Sequence, residues 1–84
     1  MAKTNYSPTF PMYPGSAFAI TPSNSANLAN VSVVYVGGSG NVRVTTAQGD
    51  DVTFVGLVAG TVIPVQVLKV WSTSTTATNL IGIY

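Results

Sequence analysis

Beta-branched residues dominate this chain, since valine, isoleucine and threonine make up 28 of its 84 residues. These side chains lose freedom in helices and pack well on the pleated surface of a sheet. They recur in short runs that are separated by glycine, asparagine, serine and aspartate, which favour turns. The pattern predicts one small all-β domain, an antiparallel β-sandwich or barrel.

Six segments have the length and composition of strands. A five-residue loop is predicted at 37–41, where glycines make positive φ angles inexpensive, and a hairpin connection at 48–51. The segment 21–30 is predicted as a turn-rich loop, in which a helical turn would be capped by Ser23 or Asn24. The predicted strands are Ala17–Ile20, Val31–Val36, Val42–Ala47, Val52–Val58, Val62–Trp71 and Ala77–Tyr84.

The longest predicted strand changes phase part-way along. Val65 and Val67 share one face, whereas Leu68 and Val70 share the other. A β-bulge near Val67 and Leu68 would return the apolar residues to one side. Alternatively, the core covers one face and a neighbouring subunit covers the other. Val31–Val36 is also apolar on both faces, which is typical of strands that are buried on both sides.

Charged residues are scarce, at 6% of the chain against roughly 25% in a typical soluble domain. A globule of this mass has on the order of 4,700 Å² of surface, or about one charge per 900 Å². Mean hydropathy is +0.43. These values favour a surface that is partly buried against other subunits, and a monomer covered by threonine and serine is the alternative. The charged residues are Lys3, Arg43, Asp50, Asp51 and Lys69.

The residue types that are missing exclude several functions. Without cysteine or histidine the chain can form neither a disulfide, nor a zinc site of the usual kind, nor a histidine-based catalytic triad. A net charge of +1 is too small to form the basic surface that binds the phosphates of a nucleic acid. No apolar run reaches the roughly 18 residues of a membrane-spanning helix. Prolines rather than an apolar segment follow Lys3, so synthesis in the cytoplasm without a signal peptide is expected. We therefore expect no enzyme, cofactor or metal, and neither nucleic acid nor membrane as a partner.

Residues 1–16 are predicted as an extended, proline-rich N-terminal arm, and residues 17–84 as the β-domain. Pro8, Pro11 and Pro14 recur at every third position, the period of polyproline II. Apolar side chains between the prolines are predicted to tie the arm down, either on its own domain or on a neighbouring subunit or partner. These partner-binding residues are Tyr6, Phe10, Met12 and Tyr13.

No motif of catalysis emerges from the polar residues. Asp50 and Asp51 are adjacent and point to opposite faces of a strand, which favours a hairpin turn over paired-acid catalysis. The glycines of 37–40 lack the lysine and the helix of a phosphate-binding loop. The threonine- and serine-rich tract 72–78 is predicted as a solvated corner between strands.

Aromatic and charged residues near the end of the longest strand are predicted to contact other subunits. Trp71 with Tyr84 would suit a carbohydrate platform, but large aromatic residues are also common anchors of protein interfaces. Lys69 and Arg43 are predicted as rim residues that fix the register of a contact. The predicted subunit interface consists of Val65, Val67, Lys69, Trp71 and Arg43.

Residues 20–84 resemble a family of small β-rich proteins encoded among the head genes of tailed phages and gene transfer agents. The resemblance lies in TPSNSANL (21–28), VGGSGNVRVTTAQGDDVTF (36–54), AGTVIPVQVLKVW (59–71) and TTATNLIGIY (75–84). The family pattern has a glycine near Ser74 and a proline near Val58, and this chain departs from it at both positions.

The resemblance implies a non-enzymatic virion protein, the base of a head spike or a capsid decoration (cement) protein on the outer shell. It implies a homo-oligomer, pentamer or trimer, that binds the major capsid protein and carries a spike fibre. The alternatives are a structural adaptor of the tail, neck or fibre, and a secreted carbohydrate-binding module that uses Trp71 and Tyr84.

Overall fold

The structure, a computed structural model, describes residues 14–84. The predicted arm residues Tyr6, Phe10, Met12 and Tyr13 lie outside the described residues. All six predicted strands are present, with ends that shift by one or two residues, and the described part contains no helix. The strands are β1 (Ala17–Ala19), β2 (Ser32–Gly38), β3 (Gly40–Thr46), β4 (Asp51–Leu57), β5 (Val62–Val70) and β6 (Thr78–Ile83).

The strands form one six-stranded sheet in the order β1-β6-β2-β5-β3-β4. Every pair of neighbours is antiparallel, so the predicted antiparallel all-β class is confirmed. β5 lies between β2 and β3, and these two strands are therefore not neighbours although they follow one another in the chain. Among the described strands, β1 and β4 are the two edges of the sheet.

Side chains from four strands and their flanks meet in one hydrophobic core. Val34 and Val36 of β2 and Val42 and Val44 of β3 are completely buried. Since all of these residues join a single cluster, the sheet curls around its own apolar face. The buried hydrophobic residues are Ile20, Val34, Val36, Val42, Val44, Ile63, Val67, Val70, Ala77 and Leu80.

The phase change in β5 is a β-bulge, the first of the two alternatives that the sequence left open. Thr45 pairs with Lys69, but the next residue of β3, Thr46, pairs with Val67, so Leu68 is the extra residue. The bulge lets Val67 and Val70 both enter the core, where they are 0% and 1% exposed. The prediction that Val67 lies at a subunit interface is therefore wrong, because its side chain is enclosed by its own domain.

The prediction of a five-residue loop at 37–41 is wrong. Gly37 and Gly38 end β2 and Gly40 begins β3, so Ser39 alone separates the two strands. Close approach to another segment requires these glycines, and Gly40 also has a positive φ of 150°. A Cβ on Gly37 would lie 2.5 Å from the carbonyl oxygen of Asn79, and one on Gly40 would lie 2.5 Å from the nitrogen of Ala77.

The remaining connections differ in how regular they are. The hairpin at 48–51 is confirmed, because the Thr46 amide donates to the Asp50 carbonyl (2.8 Å) and joins β3 to β4. In the segment 21–30, Ser23 Oγ accepts hydrogen bonds from the amides of Ser25 and Ala26, both at 3.2 Å, in a bend rather than a helical turn. This segment runs beside β5, since the Leu28 amide donates to the Leu68 carbonyl at 2.8 Å.

Candidate assembly surfaces

One outer region of the sheet collects three of the four charged side chains of residues 14–84. Pairing places Thr45 of β3 between Lys69 of β5 and Asp51 of β4. Arg43 precedes Thr45 by two residues and therefore lies on the same face. The Trp71 amide donates to the Arg43 carbonyl at 2.9 Å, which brings the indole to this face as well. We call Arg43, Thr45, Asp51, Lys69 and Trp71 the tryptophan cluster.

Trp71 is held in place from several directions. Its Nε1–H donates to Thr45 Oγ1 at 2.9 Å. The guanidinium carbon of Arg43 lies 4.0 Å from the ring centroid, and Lys69 Nζ lies 3.7 Å from it. Cation–π contacts of this length are attractive because the ring face carries negative charge density. The indole is half-buried, and both cations lie over its ring.

Arg43 and Asp51 form a two-pronged ion pair. Arg43 Nε donates to Asp51 Oδ1 at 3.1 Å, and Nη2 donates to Oδ2 at 2.8 Å. These hydrogen bonds, with the positive charges of Arg43 and Lys69, hold the pKa of Asp51 below its usual value despite the opposing effect of burial. Because both side chains are partly exposed, the pair orients Arg43 more than it stabilises the fold.

Lys69 forms no ion pair with the described residues. Its ammonium lies over the indole, and no hydrogen-bond acceptor or carboxylate of residues 14–84 lies within bonding distance of it. Asp51 is engaged by Arg43, and Asp50 exchanges hydrogen bonds with Thr46 in the hairpin (3.1 and 3.2 Å). The tryptophan cluster therefore has a net charge of +1.

A second region of the outer surface is apolar. On the solvent side of β2, Val33 faces Ile83, and Tyr35 faces both Ile81 of β6 and Val62 of β5. Tyr35 is 37% exposed and Val62 is 47% exposed. We call Val33, Tyr35, Val62, Ile81 and Ile83 the tyrosine patch. In the single chain only the face of Ser32, Val34 and Val36 is buried, so burial of the other face against a neighbouring subunit stays a prediction.

Strand β4 forms a third candidate surface. Among the described strands it pairs with β3 alone, so its other edge has free backbone groups. Val52, Val55 and Val58 are 42%, 74% and 67% exposed. After Asp51 the strand carries no charge and no proline, which are common devices against pairing with another chain. We call Asp51–Leu57 with Val58 the β4 edge.

The other residues proposed from the sequence lie apart from the tryptophan cluster. Val65 is half-buried against the core and lines a cavity of about 190 Å³ with Gln66 and Thr46. Tyr84 packs edge-on against Phe18, with ring centroids 5.6 Å apart. Trp71 contacts cations instead, so the two rings of the suggested carbohydrate platform have different partners.

The threonine- and serine-rich tract forms a corner, as predicted, and it also holds β3. The hydroxyl of Thr75 accepts a hydrogen bond from the Arg43 amide at 3.0 Å, and that of Thr76 accepts one from the Asn41 amide at 2.9 Å. Sequence reasoning missed Asn24, whose Oδ1 accepts from the amides of Ser72 and Thr73 (3.1 and 3.0 Å). No local sequence signal indicates this contact, because Ser72 and Thr73 follow Asn24 by 48 and 49 residues.

Residues 14–84 contain no group of three or more acidic, histidine or cysteine residues arranged to hold a metal ion. Within the same residues, no helix is long and apolar enough to cross a membrane.

Comparison with known proteins places the chain. No protein-family model and no curated protein matches it. A solved structure described as the capsid of a native gene transfer agent particle, computed with C5 symmetry, contains a chain with 32% sequence identity. The match has a TM-score of 0.75 and covers 84% of this chain and 83% of that chain. The chain belongs to the same family as that capsid chain. The resemblance to capsid-related proteins of phages and gene transfer agents is confirmed at this level.

Proposed function

We propose that this protein is a non-enzymatic structural component of a virion, the base of a head spike or a decoration protein on the outer capsid of a tailed phage or related particle. The similarity to a chain of a gene transfer agent capsid carries the proposal, because it extends over most of both chains. The proposed location is the capsid surface, after synthesis in the host cytoplasm.

The apolar surfaces support assembly with copies of the same chain. Monomeric proteins rarely expose large contiguous apolar patches, and such patches mark interaction sites. The tyrosine patch and the β4 edge each contain exposed apolar side chains, and four of the five interface residues proposed from the sequence are also on or near the surface. These four are Arg43, Val65, Lys69 and Trp71. The proposed assembly is a pentamer or a trimer.

The arm is proposed as the attachment to the shell. Tyr6, Phe10, Met12 and Tyr13 would contact the major capsid protein, while the β-domains associate around a symmetry axis and carry a spike fibre. Several arms joined in one oligomer act together, so contacts that are individually weak give firm attachment.

The test is localisation on particles that contain this protein. Particles purified from cells that express the full chain, or the chain lacking residues 1–14, are imaged, and the bound chain is quantified by mass spectrometry. Density of the full chain at capsid vertices supports a spike base, and density at three-fold positions supports a cement protein. Density at the tail or neck replaces the proposal with an adaptor role, and absence from particles rejects it.

The deletion variant tests the role of the arm separately. We expect it to keep the circular dichroism spectrum of a β-domain and to be lost from particles. Equal amounts of both forms on particles would remove the arm from the attachment.

A further inference from the structure

We propose that the tryptophan cluster is a docking site for an acidic side chain of a partner protein, whose carboxylate binds the Lys69 ammonium where it lies over Trp71. The inference deepens the proposed function by naming the chemistry of a partner contact, and it rests on that function.

Charge distribution is the first argument. Residues 14–84 contain four charged side chains, and three of them belong to the tryptophan cluster. Two of the three form an ion pair with each other, and the hairpin binds Asp50. Lys69 is therefore the one charged side chain of residues 14–84 that has neither an ion pair nor a hydrogen bond, and a carboxylate complements its charge.

The fixed position of Trp71 is the second argument. The hydrogen bond to Thr45 and the contact with Arg43 hold the indole before any partner arrives, so little side-chain entropy is lost on binding. Tryptophan is enriched among the residues that dominate interface energies. The Arg43 fork is engaged by Asp51, which leaves Lys69 as the available donor.

The small net charge argues against nucleic acid as the partner. Phosphate-backbone binding depends on several cations acting together. The tryptophan cluster offers one free ammonium, which matches one carboxylate.

The experiment uses the fact that Trp71 is the only tryptophan in the chain, so intrinsic fluorescence reports on this site alone. The full chain is titrated with an acetylated and amidated peptide that contains four glutamates, and with the same peptide carrying glutamines. We expect a saturable change with the first peptide only. We expect Lys69→Gln to weaken that response roughly tenfold and Lys69→Arg to keep most of it.

Lys3→Gln is the matched control, because it removes the same charge from outside the described residues and should leave the titration unchanged. Equal responses to both peptides, or equal responses of Lys69→Gln and the natural chain, overturn the inference. Tighter binding of a single-stranded oligonucleotide than of the glutamate peptide also overturns it, in favour of a nucleic-acid partner.

Particle binding separates this inference from the proposed function. If the natural chain is found on particles and Lys69→Gln is reduced there, both stand. If particles retain the natural chain and the Lys69→Gln variant equally, the proposed docking site is rejected while the structural role stands. If the natural chain is absent from particles, the proposed function fails whatever the peptide titration shows.

Discussion

Ser74 adopts a backbone conformation that suits glycine. Its φ angle is 72°, in the left-handed region, where an ordinary side chain costs about 1–2 kcal/mol. The resemblance noted from the sequence led us to expect a glycine near this position, and the chain turns here between β5 and β6. Asn79 also has a positive φ, of 53°, but asparagine tolerates this region far better than serine.

Replacing Ser74 with glycine should stabilise the protein. Relief of the backbone strain exceeds the roughly 0.5–1 kcal/mol of added flexibility in the unfolded chain, so we expect a gain of about 0.5 kcal/mol. In a domain of this size that gain raises Tm by about 2–4 °C in a thermal scan. Asn79→Gly is the control, and it should give no gain. A lower Tm for Ser74→Gly would show that the corner does not need the left-handed conformation.

The strands were predictable from the sequence because their signal is local. Runs of β-branched residues between turn residues identify all six, whereas the change of phase along β5 left a bulge and burial of both faces as alternatives until the pairing was known. The order of the strands was not predictable in this way. The placement of β5 between β2 and β3 depends on pairing between residues that are far apart in sequence, and no residue pattern of β5 encodes its neighbours.

The glycine-rich segment at 37–41 was misinterpreted for a related reason. Glycine is used both where the chain turns and where two backbones approach closely, and the sequence does not distinguish the two uses. Here the second use applies, because the end of β2 passes against the start of β6. Only the partner residue, Asn79, reveals it.

Gly37→Ala tests the close approach of β2 to β6. The added Cβ would lie 2.5 Å from the Asn79 carbonyl oxygen and 2.8 Å from its Cβ, so one strand must shift. We expect a loss of about 2 kcal/mol in the free energy of unfolding, measured by urea denaturation. Ser39→Ala, in the exposed position between β2 and β3, should change stability by less than about 0.5 kcal/mol. If both variants are equally stable, the segment has more room than the structure shows.

The candidate site combines what could and could not be predicted. Arg43, Lys69 and Trp71 were identified together from residue type, because cations and a single tryptophan stand out in a chain with so few charges. Their common location depends on the bulge in β5 and on the pairing of β5 with β3. The role of Asp51 depends on the pairing of β3 with β4, since its sequence context alone indicates a turn.

The molecule separates its charged and apolar surfaces. The tryptophan cluster lies on β3, β4 and β5, whereas the tyrosine patch lies on β2, β5 and β6. The β4 edge adds an apolar strand margin with free backbone groups. Such an arrangement allows one region to recognise a partner by charge while the others are buried between copies of the chain.

Lysine in place of Val55 tests whether the β4 edge joins subunits. Val55 is 74% exposed, so the folded single chain should tolerate the change with less than about 0.5 kcal/mol of lost stability. Lysine on an edge strand opposes pairing with another strand, and burial of its charge would be costly in an interface. We therefore expect native mass spectrometry to show loss of the oligomer and an unchanged circular dichroism spectrum. Gln48→Lys adds the same charge at the hairpin tip and should leave the oligomer intact.

An oligomer that survives Val55→Lys would indicate that the subunits contact each other through the tyrosine patch instead, and Tyr35→Lys should then dissociate it. A natural chain that is monomeric at the same concentration would show that the apolar surfaces are covered by something other than a second copy.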